Sequence, residues 1–262
     1  MEPNFRRIAA VVLIITIFVL PILMIATSID KNIAEPVRFI GSHELSPTVL
    51  EAAHMAQHVY DITDEDKNKD LGKDFGGWML LDIMTNNEGL KIGVYAKTVD
   101  GIAGYVLVNK GTTTYSDWVN NFQQPFGWST DMKDSISKSQ QFVKNHDGFE
   151  VTMVGYSKGG AEAVANAVAS NVNCVVFNPA TTFLLSYGLS SKGYTANMTE
   201  VVVKGEALNT VEGWVSKPID EVLYLPAQYT SSWWQVWMYS TNAFKNHGIA
   251  AVIWGLKEAG YT

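Results

Sequence analysis

Gly155-Tyr156-Ser157-Lys158-Gly159-Gly160 is the stretch that decides how this chain is read. Before it, Glu150-Val151-Thr152-Met153-Val154 is rich in β-branched residues and predicts a short buried strand. After it, Ala161, Val164, Ala165 and Val168 recur at helical spacing. A strand, then Gly-x-Ser-x-Gly, then a helix describes a sharp turn with a serine at its apex, a nucleophile elbow. Gly155 and Gly159 remove the Cβ atoms that would collide in so tight a corner. The turn therefore predicts a strained backbone at Ser157, with the hydroxyl held up to solvent. A helix that starts at the serine also aims unpaired backbone N–H groups at any negative charge that develops beside it.

A serine hydroxyl titrates far above neutrality, so it needs a base, and a base imidazole needs an acid to hold its tautomer. Around such an elbow the chain order is Ser, acid, His. Only one histidine follows Ser157, namely His247 in Lys245-Asn246-His247-Gly248. It stands just before Ile249, Ala250, Val252, Ile253 and Leu256, whose spacing predicts a last helix, so His247 is expected in the loop leading into it. For the acid, Val201-Val202-Val203-Lys204 reads as a strand. Glu206 follows its C-terminal end, the edge on which open α/β sheets keep their sites. Asp220, the only aspartate after Ser157, is the alternative. It precedes the strand Glu221 to Leu225 and lies on the wrong edge if that strand is parallel, on the right edge if antiparallel. Glu206 is preferred, with Glu212 and Glu200 behind both.

Upstream, strands are expected over Leu90 to Lys97 and Gly104 to Asn109, joined by a turn around Asp100-Gly101. The second runs into Lys110-Gly111-Thr112, followed by Asp117-Trp118, a helix containing Gln140, and the Gly-x-Ser-Lys-Gly-Gly segment. This order resembles the class 3 lipase group of α/β-hydrolases, and the lysine after the serine is most similar to its Mbeg1-like branch. The likeness is strongest over residues 90 to 180. It implies an α/β fold with a mostly parallel sheet flanked by helices, and a serine ester hydrolase that needs no cofactor or metal. It also implies an oxyanion hole made by the backbone N–H groups of Thr112 and Lys158. Two departures stand out: Tyr156 replaces the usual histidine before the nucleophile, and Lys110 replaces the usual arginine before Gly-Thr. Lysine cannot reproduce a bidentate arginine pair, so some local rearrangement is expected there. A catalytically silent hydrolase fold acting as a binding or scaffolding module at a membrane is the competing reading.

The N-terminus carries the second strong signal. Ile8 to Ala26 are 19 residues without a charge, long enough to cross a bilayer as a helix. Arg6 and Arg7 precede them and, by the positive-inside rule, stay cytoplasmic, which sends the rest of the chain to the other side. A cleaved signal peptide is the competing reading, but its apolar core is normally shorter and Ala26-Thr27-Ser28 is a poor cleavage site. The expected organisation is an anchor over residues 1–31 and one α/β-hydrolase domain over 32–262, periplasmic or extracellular, or secreted if the leader is removed. A membrane-proximal domain makes a lipid or phospholipid ester the expected substrate.

Composition narrows the partners. The formal charge is -7, and the first 31 residues carry Arg6, Arg7 and Lys31 against Glu2 and Asp30, so the remaining body is more acidic still. Such a body is repelled by phosphate backbones, which argues against nucleic acid. The single Cys174, inside an apolar run, excludes a disulfide framework and reads as a buried strand residue. Ser46-Pro47 predicts the start of a helix, with Leu50, Ala53, Ala56 and Gln57 on one face and an end near Tyr60. His54 and His58 lie one turn apart in it without a third ligand, and a solvated face is expected rather than a metal site. Asp66-x-Asn68-x-Asp70 hints at a calcium loop, but Leu71 stands where glycine is required, so Asp61 to Asp74 reads as a surface loop. Two aromatic groups, Trp118, Phe122, Phe126 and Trp128, then Trp233, Trp234, Trp237, Tyr239 and Phe244, read as core packing before they read as a substrate entrance.

Overall fold

The computed structural model describes residues 44–62, 69–87, 89–111, 130–207, 221–231 and 238–261. Eight strands, β1 (Asp74–Phe75), β2 (Trp78–Thr85), β3 (Lys91–Val99), β4 (Ile102–Asn109), β5 (Glu150–Tyr156), β6 (Asn173–Phe177), β7 (Met198–Val203) and β8 (Glu221–Leu225), form one sheet in chain order. The first four pair antiparallel; β4 to β8 run parallel, so five C-terminal strand ends share one edge. The β3–β4 hairpin closes on Asp100 and Gly101 with φ of 50° and 81°, the left-handed pair that a two-residue turn demands.

Alternation along the central strands divides the core in two. Val106, Val108, Val154, Val175, Phe177, Val201 and Val203 face α1 (Val49–Asp61) and α5 (Ile249–Glu258). Leu107, Val151, Met153, Cys174 and Val176 face the opposite layer of α2 (Thr130–Asn145) and α3 (Lys158–Ser170). Strands covered on both faces need apolar residues at every position, which is why the sequence there reads as continuous runs. Truncating a fully buried residue such as Met153 to alanine costs about 2–5 kcal/mol. Cys174 is a buried strand thiol, as expected. This mostly parallel, helix-flanked α/β architecture agrees with the sequence reading.

Several local expectations are corrected. Helix α1 starts at Val49, not at Pro47, because Thr48 caps it in a capping box: its hydroxyl accepts from Glu51 N at 3.1 Å while Glu51 Oε2 accepts from Thr48 N at 2.8 Å. His58 does not sit on a solvated face; it is 3% exposed, and its Nδ1 lies 2.8 Å from the Tyr95 hydroxyl. Burial lowers its pKa, Lys73 adds to the effect, and Asp70 and Asp61 oppose it. Strands β1 and β2 were not anticipated. β2 alternates only in part, with a bulge between Leu80 and Asp82, and leaves Met79 and Leu81 on the surface. No helix among the described residues is long and apolar enough to cross a membrane. The segment Ile8 to Ala26 and the boundary expected at residues 31 and 32 lie outside the described residues, as do Asp66, Asn68, Trp118, Phe122, Phe126, Trp128, Trp233, Trp234 and Trp237.

Candidate active site

β5 ends at Tyr156 and α3 begins at Lys158, so Ser157 alone makes the turn between them, with φ 57° and ψ -124°. A non-glycine residue in that region stores strain of about 1–3 kcal/mol, held in place by its surroundings. Here the surroundings are specific. Ser157 N–H donates to Phe177 O at 3.1 Å, and Ser157 O accepts from Gly160, Ala161 and Ala180 at 3.0 to 3.2 Å. The glycines serve as the sequence implied: a Cβ on Gly155 would strike the carbonyl of Gly159, and one on Gly159 would strike the carbonyl of Asn109.

The structure brings Ser157, His247 and Glu206 together. His247 Nε2 lies 3.0 Å from Ser157 Oγ, and His247 Nδ1 lies 2.7 Å from Glu206 Oε2. Glu206 follows β7 at the shared C-terminal edge, and the three residues are 6%, 5% and 1% exposed. The expectation that Ser157 stands open to solvent is therefore corrected: the imidazole sits on its hydroxyl and the elbow is packed against Ala180. His247 also differs slightly from expectation, since it is the last residue of helix α4 (Tyr239–His247), and Gly248 alone separates it from α5.

Among the acids, Asp220 and Glu212 lie outside the described residues. β8 pairs parallel with β7, Glu221 opposite Thr199, which opens that strand at the edge away from Ser157. Glu200 lies within β7, its carboxyl pushed up to about 7 by burial first and by Glu206 second. The carboxylate that meets the imidazole is that of Glu206.

Of the two backbone donors expected for an oxyanion, Thr112 lies outside the described residues, whereas Lys158 is the first helical residue of α3, so its N–H has no acceptor within the helix. The corner leading to Thr112 is pinned by a residue not anticipated from sequence. Tyr60, at the end of α1, accepts a hydrogen bond from Gly111 N at 2.7 Å and donates from the same hydroxyl to Tyr156 O at 3.1 Å. One phenol thus joins the stretch after β4 to the end of β5, and burial raises its pKa well above the ordinary phenol value. Lys110 Nζ donates to Tyr60 O at 3.4 Å and lies 5.8 Å from the Tyr60 ring centroid. The Tyr156 ring lies 5.3 Å from that of His247 at a tilt of 40° and packs on the core, with its phenol pushed up by burial and by Glu206.

A second unanticipated residue is Asn178. Its Nδ2 donates to the carbonyls of His247 (2.8 Å) and Asn246 (3.2 Å), and its Oδ1 accepts from Val203 N at 2.9 Å. It therefore fixes the end of α4 relative to the end of β7, three residues before Glu206. Asn246 in turn clips the loop after β8 with a reciprocal pair to Tyr229 N and O, both at 2.9 Å. The only sequence signal was Asn178-Pro179 after an apolar strand, which marks a turn and says nothing about what the amide reaches.

Among the described residues no cluster of His, Cys, Asp and Glu could hold a metal ion. What the arrangement offers is a hydroxyl, an imidazole and a carboxylate in hydrogen-bonded series at a helix N-terminus.

The fold is similar to that of fungal lipases. A lipase of Rhizomucor miehei in complex with its propeptide is 10% identical, with 68% of this chain and 67% of that one covered at a TM-score of 0.49. A triacylglycerol lipase from Penicillium expansum is 14% identical over 68% and 79%, at 0.44. Lipase II from Rhizopus niveus is 13% identical over 62% and 73%, at 0.44. No curated protein matches the chain. The phospholipase-like family model described as the Tle-like phospholipase domain matches residues 45–224, more than half of the sequence and the whole span from α1 to the end of β8 but for its last residue. The chain belongs to that family, as a class 3 lipase-type α/β-hydrolase and a lipase-like serine hydrolase.

Proposed function

We propose that the chain hydrolyses a lipid or phospholipid ester through an acyl-enzyme on Ser157. His247 Nε2 takes the hydroxyl proton as Ser157 Oγ attacks the ester carbonyl. Glu206 holds the Nδ1 proton and stabilises the imidazolium that forms. The backbone N–H groups of Thr112 and Lys158 receive the oxyanion of the tetrahedral intermediate. His247 returns its proton to the leaving alcohol as the C–O bond breaks. A water molecule, deprotonated by the same imidazole, then releases the acid and restores Ser157. The observation that supports this most is the unbroken series Ser157, His247, Glu206 at 3.0 and 2.7 Å. Family membership supports the substrate class.

In this reading residues 1–31 anchor the protein and residues 32–262 work on the non-cytoplasmic side, where a bilayer would offer acyl chains. The charge-free run of 19 residues behind Arg6 and Arg7 supports it. The test is hydrolysis of a series of p-nitrophenyl and phospholipid esters by the full chain and by Ser157→Ala. Turnover that vanishes in the variant, and that rises with acyl length, is the expected result. Esterase activity that survives Ser157→Ala would refute the assignment. Equal turnover of acetyl and long-chain esters would refute the lipid substrate.

A further inference from the structure

Under the elbow lies a buried polar layer that the triad does not use. On α3, Lys158, Glu162 and Asn166 recur every four residues and share one face. On α2, Asp131 and Ser135 face them, and Asn109, the last residue of β4, reaches in between. Lys158 Nζ lies 3.1 Å from Asp131 Oδ2 and 3.7 Å from Glu162 Oε1. Asn109 Nδ2 donates to Ser135 Oγ at 2.8 Å and to Glu162 Oε2 at 3.3 Å. Asn166 Nδ2 donates to Ser135 Oγ at 2.8 Å and to Asn109 Oδ1 at 3.2 Å. Glu162 is 1% exposed, and Asn109, Ser135 and Asn166 are fully buried.

A carboxyl group in that position is expensive. Two charges taken out of water are repaid only by excellent geometry, and an apolar residue of similar volume is often as stable or more so. A contact at 3.7 Å to Lys158 and one amide at 3.3 Å are modest compensation, so fold stability gives little reason to keep Glu162. Its two partners give a better one. Lys158 follows the nucleophile and Asn109 stands three residues before Thr112, so Glu162 ties together the two backbone stretches that would supply the oxyanion donors.

We propose that Glu162, as the carboxylate, is a positioning residue for the oxyanion side of the site, acting through the side chain of Lys158 and through Asn109. The inference rests on the hydrolase reading given above. Ionised Glu162 gives Lys158 a second carboxylate beside Asp131 and draws the first turn of α3 toward the end of β4. Protonated Glu162 leaves Lys158 to Asp131 alone. The charged and titratable groups facing Glu162 are Lys158 on its own helix, Asp131 on α2 and Tyr60 at the end of α1. Burial pushes the Glu162 carboxyl up to about 7; Lys158 and the Asn109 amide work against that rise, and Asp131 adds to it. The switch in charge therefore falls near neutrality. A carboxyl raised in the folded state contributes stability below its unfolded pKa and loses it as pH rises through the folded one, so the ionised form destabilises the fold that it would position.

Glu162→Gln keeps the shape and the acceptor for Asn109 but cannot ionise. At pH 8 it should lower kcat for a p-nitrophenyl ester about tenfold with KM little changed, less than the ~100-fold expected from losing an oxyanion donor outright. The rate of Ser157 phosphonylation by a fluorophosphonate should fall in parallel, while Tm rises. At pH 5.5, where native Glu162 is also protonated, the rate ratio should return toward one. Lys158→Met keeps the backbone N–H, and adding Glu162→Gln to it should cost nothing further. A rate equal to native at pH 8, the same loss at both pH values, a lower Tm with lower activity, or additive losses in the double variant would each overturn the proposal. If native protein reacts with the fluorophosphonate and Glu162→Gln reacts as fast at pH 8, only this inference falls. If native protein does not react at all, the hydrolase reading falls with it.

Discussion

Two buried histidines, His58 and His247, occupy the same molecule with similar surroundings and opposite implications. Each is about as buried as the other, each has an oxygen within 2.8 Å of Nδ1, and each has a carboxylate at hand. For His247 the carboxylate takes the Nδ1 position and a serine hydroxyl takes Nε2. For His58 a phenol takes Nδ1, and the carboxylate of Asp70 stands 3.8 Å from Nε2. Among the described residues no serine or cysteine is hydrogen-bonded to the His58 ring. Burial and hydrogen bonding alone therefore do not mark a site. The strained backbone of Ser157 is what separates the two, because it aims a hydroxyl at Nε2 of an already oriented imidazole.

The comparison breaks most visibly at the serine itself. Ser157→Gly should abolish ester hydrolysis, by about 10⁴-fold or more, since members of such a unit are lost together. The same change should raise stability by about 1–3 kcal/mol, because glycine adopts φ 57° without strain. Ester turnover checks the first half and denaturant unfolding beside native protein checks the second, where an unaltered midpoint would show that no strain is stored there.

Next in size is the orienting carboxylate. Glu206→Gln should retain the fold and lose about 10³- to 10⁴-fold in kcat, because an amide permits the wrong imidazole tautomer. Asp220→Asn should leave kcat unchanged. Initial rates on a soluble ester separate the two residues, and the reverse order would reassign the acid.

Tyr60→Phe sharpens the comparison from the other side of the site. It removes one hydroxyl and leaves Gly111 N–H and Tyr156 C=O without their partner, a loss of about 1–3 kcal/mol in stability for each buried group left unsatisfied. Because those groups flank the residues proposed as oxyanion donors, kcat should fall about tenfold, a fraction of the cost of a lost donor. Thermal unfolding and steady-state kinetics on one preparation read both effects.

The smallest effect belongs to His58. Its pKa is lowered by burial, so the native state binds fewer protons there than the unfolded chain does. The sign follows: stability is fully present above the unfolded value of 6.5 and is lost as pH falls through the lowered one. His58→Phe should therefore leave kcat unchanged and flatten the loss of Tm below pH 6.5. A drop in kcat would mean that the two histidines are not as distinct as the geometry makes them.

Much of the site was legible because its residues carry local signals. Gly-x-Ser-x-Gly between strand and helix located Ser157, chain order left His247 as the single histidine, and the end of a valine-rich strand pointed to Glu206. The parallel core showed through runs of apolar residues. What escaped has no local pattern. Tyr60 and Asn178 act by bonding backbone groups 51 to 96 and 25 to 69 positions away, and nothing in their neighbourhood announces such reach. β2 escaped because a bulge at Leu80 and Asp82 breaks the alternation by which half-buried strands are recognised. The burial of Ser157 escaped because the elbow motif fixes the corner but not what later chain folds over it.

Reaction of the full chain with a fluorophosphonate at neutral pH, followed by peptide mass mapping, tests the central claim most directly. One equivalent of adduct on the peptide carrying Ser157, absent in Ser157→Ala and slowed severely in His247→Ala, is the result expected. A folded protein that takes no adduct, or takes it on another residue, would contradict it.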